Sequence, residues 1–426
     1  ILIIMLVGTH SVALDDPNGL LGLDECLAIA EKNNTDLRIA RDKVKESEAA
    51  YHGKLGLLLP QVDANLGYFR YKEQLPSKKQ RFGESLDDYY AELVMKLPLF
   101  QGGRDYGQIE AAKSALDAEK QRLEQVRRTV FAVVKKAYYE RVRGGISLSI
   151  QKELLKGLEE QSIIAKLLYA SGKISTIDVL KIETQVAASR DTLANLENIV
   201  RVRSLALGRA MGRDAPVDTV SDIADMDTGI TIQKKCLSGG FVSNPERKIA
   251  VSLLEKSRND EMVIASGHYP YLSLMGSYNW EDKKFFPGNP NWNVGGAVTI
   301  PVFYGGRVAM AVSEARARTR QMETRLDGLI KDLTVRFETS VATVTDSLNR
   351  LATTRKVLSL AEEAYKTSLV RYKAGRLSSL DLLDAQTVWY NARLGYVKNI
   401  IDCRVAMAEI EQICPEALKS EWEGTK

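Results

Sequence analysis

Two periodicities alternate along the chain. Residues 61–68 place Val62, Ala64, Leu66 and Tyr68 between Gln61, Asp63, Asn65 and Gly67, and 89–97 place Tyr89, Ala91, Leu93, Met95 and Leu97 between Tyr90, Glu92, Val94 and Lys96. The pattern returns with Leu272, Leu274, Gly276, Tyr278 and Trp280, then Trp292, Val294, Gly296, Val298 and Ile300. Period two with one apolar and one mostly polar face predicts strands, over about 59–73, 86–100, 268–282 and 291–303. The stretches after each strand pair change to steps of three and four. From about 103 to 168 there is no proline, and Leu116, Leu123, Val126, Val130, Val133, Val134, Ala137 and Tyr138 keep helical spacing. Some 66 residues at 1.5 Å each reach about 100 Å, longer than a globular domain uses, so the pattern reads as coiled coil or helical barrel. Gly144-Gly145 inside it costs about 2 kcal/mol relative to alanines and predicts a bend or local flexibility there.

The long helices end in near-identical turns, YASGKISTIDVL (169–180) and YKAGRLSSLDLL (372–383). Gly172 and Gly375 suit helix C-caps with positive φ. Ser175…Asp178 and Ser378…Asp381 fit a capping box that starts a returning helix. Each turn is therefore expected to be the tip of an αα-hairpin. Capping accounts for Asp178 and Asp381 but not for Asp384, one turn further along.

These echoes are part of a two-fold internal repeat. Cys26, Asn34 and Pro60 recur as Cys236, Asn244 and Pro270 at an offset of 210; PLFQGGR (98–104) recurs as PVFYGGR (301–307) at 203. The halves run over 14–212 and 244–414, with a linker at 213–243 and a tail at 415–426. In both junctions, Pro98, Gly102 and Gly103 and then Pro301, Gly305 and Gly306, a strand passes tightly into a helix. The loop lacks a G-K-[ST] ending, so a phosphate cradle is the weaker reading.

The apolar run Ile1–Gly8 followed by Ser11-Val12-Ala13 reads as a truncated secretory signal, residues 1–13. No other stretch has 18 consecutive apolar residues, so a helical membrane anchor is not expected. Strands of about ten residues, by contrast, can cross a bilayer when tilted, and Tyr89, Tyr278, Trp280, Phe285, Phe286 and Trp292 near the loop ends suit an interfacial girdle. Four strands cannot close a barrel, and open edges are not tolerated in lipid, so several chains must share one. A net charge of +4 without an aromatic-interleaved basic cluster argues against nucleic acid. The three histidines, His10, His52 and His268, lack metal-ligand spacing, and no cofactor or enzymatic constellation is expected. Cys26, Cys236, Cys403 and Cys414 read as buried small residues, with a Cys26–Cys236 bridge as the alternative.

LDECLAIAEKNNTDLRIARDKVKESEAAYHGKLGLLLPQV near the start, the paired PLFQGGR/PVFYGGR junctions and RYKAGRLSSLDLLDAQTVWYNAR at the second tip together resemble the TolC family of outer-membrane efflux proteins, over about Leu21 to Ile413. The resemblance implies a mixed α and β membrane protein of a Gram-negative outer membrane that extends into the periplasm. Four strands per chain would build a trimeric twelve-stranded β-barrel, continued by a periplasmic α-helical coiled-coil barrel. It further implies a homotrimer embedded in outer-membrane lipid, a periplasmic adaptor and an inner-membrane pump of RND, ABC or MFS type. The segments at 213–243 and after about 400 would form a belt around the tunnel. Asp381 and Asp384 match the family's aspartate rings at the tunnel entrance, while Asp178 and Tyr372 match participants in the links that hold the gate closed. The latch arginine expected two residues after the second tip glycine is Leu377 here, with Arg376 beside it. For Tyr372, helix packing stands equally with a latch role. The alternative function is a non-conducting coiled-coil scaffold or adhesion protein of the envelope.

Overall fold

A computed structural model describes residues 20–73, 83, 85–220, 231–232, 235–285 and 288–419. The signal-like segment 1–13, Phe286 and the tail beyond 419 lie outside these. The elements in chain order are α1 (Leu23–Asn33), α2 (Thr35–Leu55), β1 (Gln61–Arg70), β2 (Asp87–Gln101), α3 (Arg104–Ala170), α4 (Thr176–Met211), β3 (Thr231–Ile232), α5 (Lys235–Ser238), α6 (Pro245–Ala265), β4 (Tyr271–Asp282), β5 (Pro290–Thr299), α7 (Arg307–Lys373), α8 (Ser379–Ile413) and β6 (Leu418–Lys419). Both α3 and α7 are 67 residues long. No helix among the described residues is long and apolar enough to cross a membrane. The chain divides into two compact units.

One unit, residues 40–125 and 242–332, contains a four-stranded antiparallel sheet of order β1-β2-β4-β5. Its register places apolar residues opposite one another across all four strands. Ala64 faces Leu93, Leu93 faces Tyr278, and Tyr278 faces Trp292; Leu66, Ala91, Trp280 and Pro290 form the next row. Directly opposed residues share a face, so these rows make one apolar surface. The rows between them are polar, with Asn65, Glu92, Asn279 and Asn291 in line. On this polar face the Tyr90 ring lies over Gly67, where a Cβ would come within 2.0 Å of it, and stacks on Phe69 at 5.8 Å. The ring covers the backbone that glycine leaves bare. Among the described residues nothing covers the apolar face: Leu66 is 82% exposed and Trp292 68%, and the outer edges of β1 and β5 are unpaired among them.

Pro98 has no N–H to donate and sits where the β2–β4 register shifts, which leaves Leu99 as the extra residue of a bulge. Three residues later Gly102 turns the chain into α3 with φ 63°. A Cβ there would sit 2.8 Å from the Ser266 carbonyl oxygen and 2.9 Å from Tyr269 Cβ, so the close approach as well as the backbone requires glycine. Gly103, Gly305 and Gly306 also have positive φ, while Pro301 lies two residues beyond the end of β5. Beyond the turn, Thr319 of α7 bonds to Glu261 of α6, and Arg316 pairs with Glu261 and Arg258 with Glu323, all between the same two helices.

The described residues of the other unit, which spans 1–39, 126–241 and 333–426, are helical apart from the short β3–β6 pair, a bridge between Leu21 and Thr219, and connecting turns. Leu154, Leu158 and Val186 form a buried cluster, against which Leu155, Leu383 and Tyr390 pack. Truncation of a side chain buried like Leu158 to alanine costs about 2–5 kcal/mol. The helix α3 runs unbroken through Gly144-Gly145. A Cβ on Gly144 would lie 3.2 Å from both Val200 and Arg203, so this glycine lets α4 approach closely. The Cys26–Cys236 alternative does not occur: Cys236 is bridged to Cys414, whose Cα is 6.4 Å away. The β3–β6 pairing brings the segment before Cys236 to the end of α8, and Phe241 packs edge-on against Phe337. Cys26 and Cys403 are free and buried. Burial, followed by the neighbouring Glu25 charge, pushes the Cys26 thiol up to about 12.

Candidate functional site: the hairpin tips

Both tips are built by the same local chemistry. Gly172 and Gly375 each have φ 69°. Gly172 N–H donates to the Tyr169 carbonyl and Lys173 N–H to that of Leu168; Gly375 and Arg376 do the same to Tyr372 and Arg371. These paired bonds close the last turns of α3 and α7 as Schellman motifs. The return helices start from serine caps. Asp178 N–H donates to Ser175 Oγ at 3.3 Å, and Ser175 N–H donates back to Asp178 Oδ2 at 3.1 Å. Asp381 N–H donates to Ser378 Oγ at 3.1 Å, and the Ser378 hydroxyl donates to Asp381 Oδ2 at 2.7 Å.

The two carboxylates then diverge. Ser379, buried at the first position of α8, donates its hydroxyl to Asp178 Oδ1 at 2.8 Å. Asp178 therefore caps its own helix with one oxygen and joins the other hairpin with the second. The Ser175 hydroxyl, then the Ser379 hydroxyl, holds its pKa below the ordinary 3.8. Asp381 and Asp384 are both exposed, and Asp384 lies one turn beyond Asp381 on α8.

Tyr372 is 1% exposed, and its hydroxyl has no hydrogen-bond partner. Burial, and secondarily the Asp178 charge, raises its pKa. It is packed near Asp178 without bonding to it. Arg376 is exposed and takes part in the turn through its backbone N–H. The structure thus brings Gly172, Ser175, Asp178 and Tyr372 together with Ser379, which was not singled out from the sequence. Its one signal there is the serine doublet 378–379, where the first tip has Ser175-Thr176.

A second cross-hairpin layer was also illegible in the sequence. Gln151 Nε2 donates to the backbone carbonyl and hydroxyl of Ser189 at 3.0 and 2.8 Å, while Tyr390 donates its hydroxyl to Gln151 Oε1 at 2.6 Å. Arg393 pairs with Glu153 nearby. One buried glutamine of α3 is thereby satisfied by α4 and α8 together.

Among the described residues no group of three or more His, Cys, Asp or Glu could hold a metal ion. A sheet with an exposed apolar face, two 67-residue helices and capped hairpin tips make up the fold that solved outer-membrane channels share. CmeC of Campylobacter jejuni, an outer membrane channel, superposes with a TM-score of 0.78 at 18% identity, over 92% of this chain and 85% of that one. VceC, an outer membrane protein of Vibrio cholerae, gives 0.77 at 16%, over 92% and 95%. The family model for "Outer membrane efflux protein" matches residues 27–213 and 244–413. The chain belongs to the outer membrane efflux protein family. Curated relatives include the pyoverdine export outer membrane protein OpmQ of Pseudomonas aeruginosa, 23% identical over 418 residues, 95% of this chain and 86% of that one. The proteases secretion protein PrtF of Dickeya chrysanthemi is 22% identical over 398 residues, 88% and 83% respectively.

Proposed function

We propose that this outer-membrane efflux protein is the passive exit duct of a tripartite efflux or type I secretion system. One observation carries the reading: a single apolar face runs through all four strands, and among the described residues both edges of that sheet are open. Such a sheet is stable in lipid only if its edges are closed by copies of itself. A heterologous β1-to-β5 contact repeated three times closes a twelve-stranded barrel, the apolar rows facing lipid and the Asn65–Glu92–Asn279–Asn291 row facing a water-filled lumen. The proposal includes the two-fold repeat, supported by the paired 67-residue helices and the two matched segments of the family model. The polar second face of the sheet favours a duct over a non-conducting scaffold, which has no use for it.

At the periplasmic end the tips meet a periplasmic adaptor and an inner-membrane pump. Asp381 and Asp384 form three-fold carboxylate rings, a negative constriction that favours cations and binds multivalent ones. Asp178 holds the closed state through Ser379, in place of an arginine link at Leu377. Relatives named for protease secretion and pyoverdine export show that one architecture serves unlike cargo, so selection lies upstream in the pump. Purified protein is expected to form a trimer that conducts in planar bilayers. A folded trimer without conductance would overturn the duct.

A further inference from the structure

Between α3, α7 and α8 of the helical unit is a cavity of about 480 Å³, lined by Leu154, Gly157, Tyr365, Gln386 and Trp389. Its size lies in the range of small-molecule sites, about 300–1,000 Å³. Three observations make it a built site. Gln386 is 2% exposed, and both its Nε2 and its Oε1 are buried without a hydrogen-bond partner. Buried amides are normally satisfied, and in the same helical unit Gln151 is satisfied completely by Ser189 of α4 and Tyr390 of α8. An orphaned donor and acceptor on one planar group therefore mark a missing complement. Gly157 sits inside α3, where glycine is the poorest helix former after proline. A Cβ there would lie 3.6 Å from Gln386 Nε2 and 3.7 Å from the Tyr365 hydroxyl, so the glycine leaves open the space beside both polar atoms.

The third observation is the aromatic wall. Tyr365 and Trp389 stack at 4.9 Å with planes 16° apart, and Arg393 lies 5.4 Å from the indole centroid while pairing with Glu153. The lining charges balance, Glu153, Glu160 and Glu362 against Lys156, Lys366 and Arg393, with Glu153 paired to Arg393 and Glu362 to Lys366. The lining therefore carries no net charge.

We propose that this cavity binds an uncharged planar aromatic carrying an adjacent N–H and C=O, a lactam or primary carboxamide. Its polar edge pairs with the Gln386 amide and its ring lies against Tyr365 and Trp389. The claim goes beyond the duct reading: it takes that reading's trimer as the sample but is tested by heat of binding and not by conductance, so the two fail separately.

The test is titration calorimetry on the purified full-length trimer with 2-quinolone, and with naphthalene as the ring without the amide edge. Saturable binding of 2-quinolone is expected, at least about tenfold tighter than naphthalene. Gln386→Leu is expected to remove that preference while leaving naphthalene unchanged, and Gly157→Leu, which fills the space, to abolish binding of both. Size-exclusion and thermal melting confirm that each variant is a folded trimer. No saturable binding to the wild type by about 1 mM, equal affinity for the two probes, or 2-quinolone binding unchanged in Gln386→Leu would each overturn the proposal.

Discussion

The two hairpin tips share one local design and use it differently. Each has a Schellman glycine, a serine cap and an aspartate three residues later, yet Asp178 reaches across to Ser379 whereas Asp381 bonds back only to its own Ser378. The tyrosines three residues before the tip glycines differ in the same way, Tyr372 being buried and Tyr169 half exposed. The same asymmetry separates the corresponding cysteines, since Cys236 is bridged to Cys414 while Cys26 is a free thiol. Local sequence dictates that a turn forms; its neighbours decide whether the turn's carboxylate becomes a tie or stays available to solvent.

The largest expected effect breaks the cysteine comparison. Reducing Cys236–Cys414, or replacing Cys414 by serine, is expected to lower stability by about 2–5 kcal/mol, because the bridge closes a loop of 178 residues. Cys26→Ala is expected to cost less, and chemical denaturation of the two variants measures the difference. Next, Asp178→Ala removes a cap and a cross-hairpin bond together, whereas Asp381→Ala removes a cap alone. A cap is worth about 1 kcal/mol, and the extra bond to a charged group about 1.5–3 kcal/mol, screened here by solvent. Asp178→Ala should therefore raise the open probability in single-channel records, and Asp381→Ala should not. Ser379→Ala is expected to reproduce the Asp178 opening with α4 still capped, while Thr176→Ala, its counterpart at the first tip, changes nothing.

Proton linkage sharpens the same contrast. Asp178 titrates below its ordinary 3.8 in the folded chain, so its contribution is complete above that value and is lost as the pH falls through the lowered one. Acid-induced opening is expected only below about pH 4 and should vanish in Ser379→Ala. The smallest effect belongs to Tyr372→Phe. Deleting a buried hydroxyl without a partner is expected to leave stability unchanged or raise it by up to about 1 kcal/mol, with no change in gating. Opening of the channel in that variant would instead make the tyrosine a latch.

Much of this was legible in the sequence because it is periodic or local. Alternation at 61–68, 89–97 and 272–280 falls within three of the sheet strands and that at 292–300 overruns the fourth by Ile300, while the serine–aspartate spacing falls on two helix starts. What stayed hidden depends on contacts between distant segments. The Ser379–Asp178 bond spans 201 residues and the Tyr390–Gln151 bond 239, and neither leaves a motif. The Cys236–Cys414 bridge was hidden for the same reason: the four cysteines read as buried small residues, while the fold carries Cys236 to the end of α8. The role of Gly144 was hidden in the same way, because propensity counts the entropy a glycine loses and not the close approach of α4.

The division of labour between the tips is tested most directly by block of the trimer with a trivalent cation, hexamminecobalt(III), added to the tip side of a planar bilayer. Wild type and Asp178→Ala should both be blocked, and Asp381→Ala/Asp384→Ala should lose block affinity by about tenfold or more. Unaltered block in the double variant, or equal loss in Asp178→Ala, would contradict the assignment of the ring to the second tip.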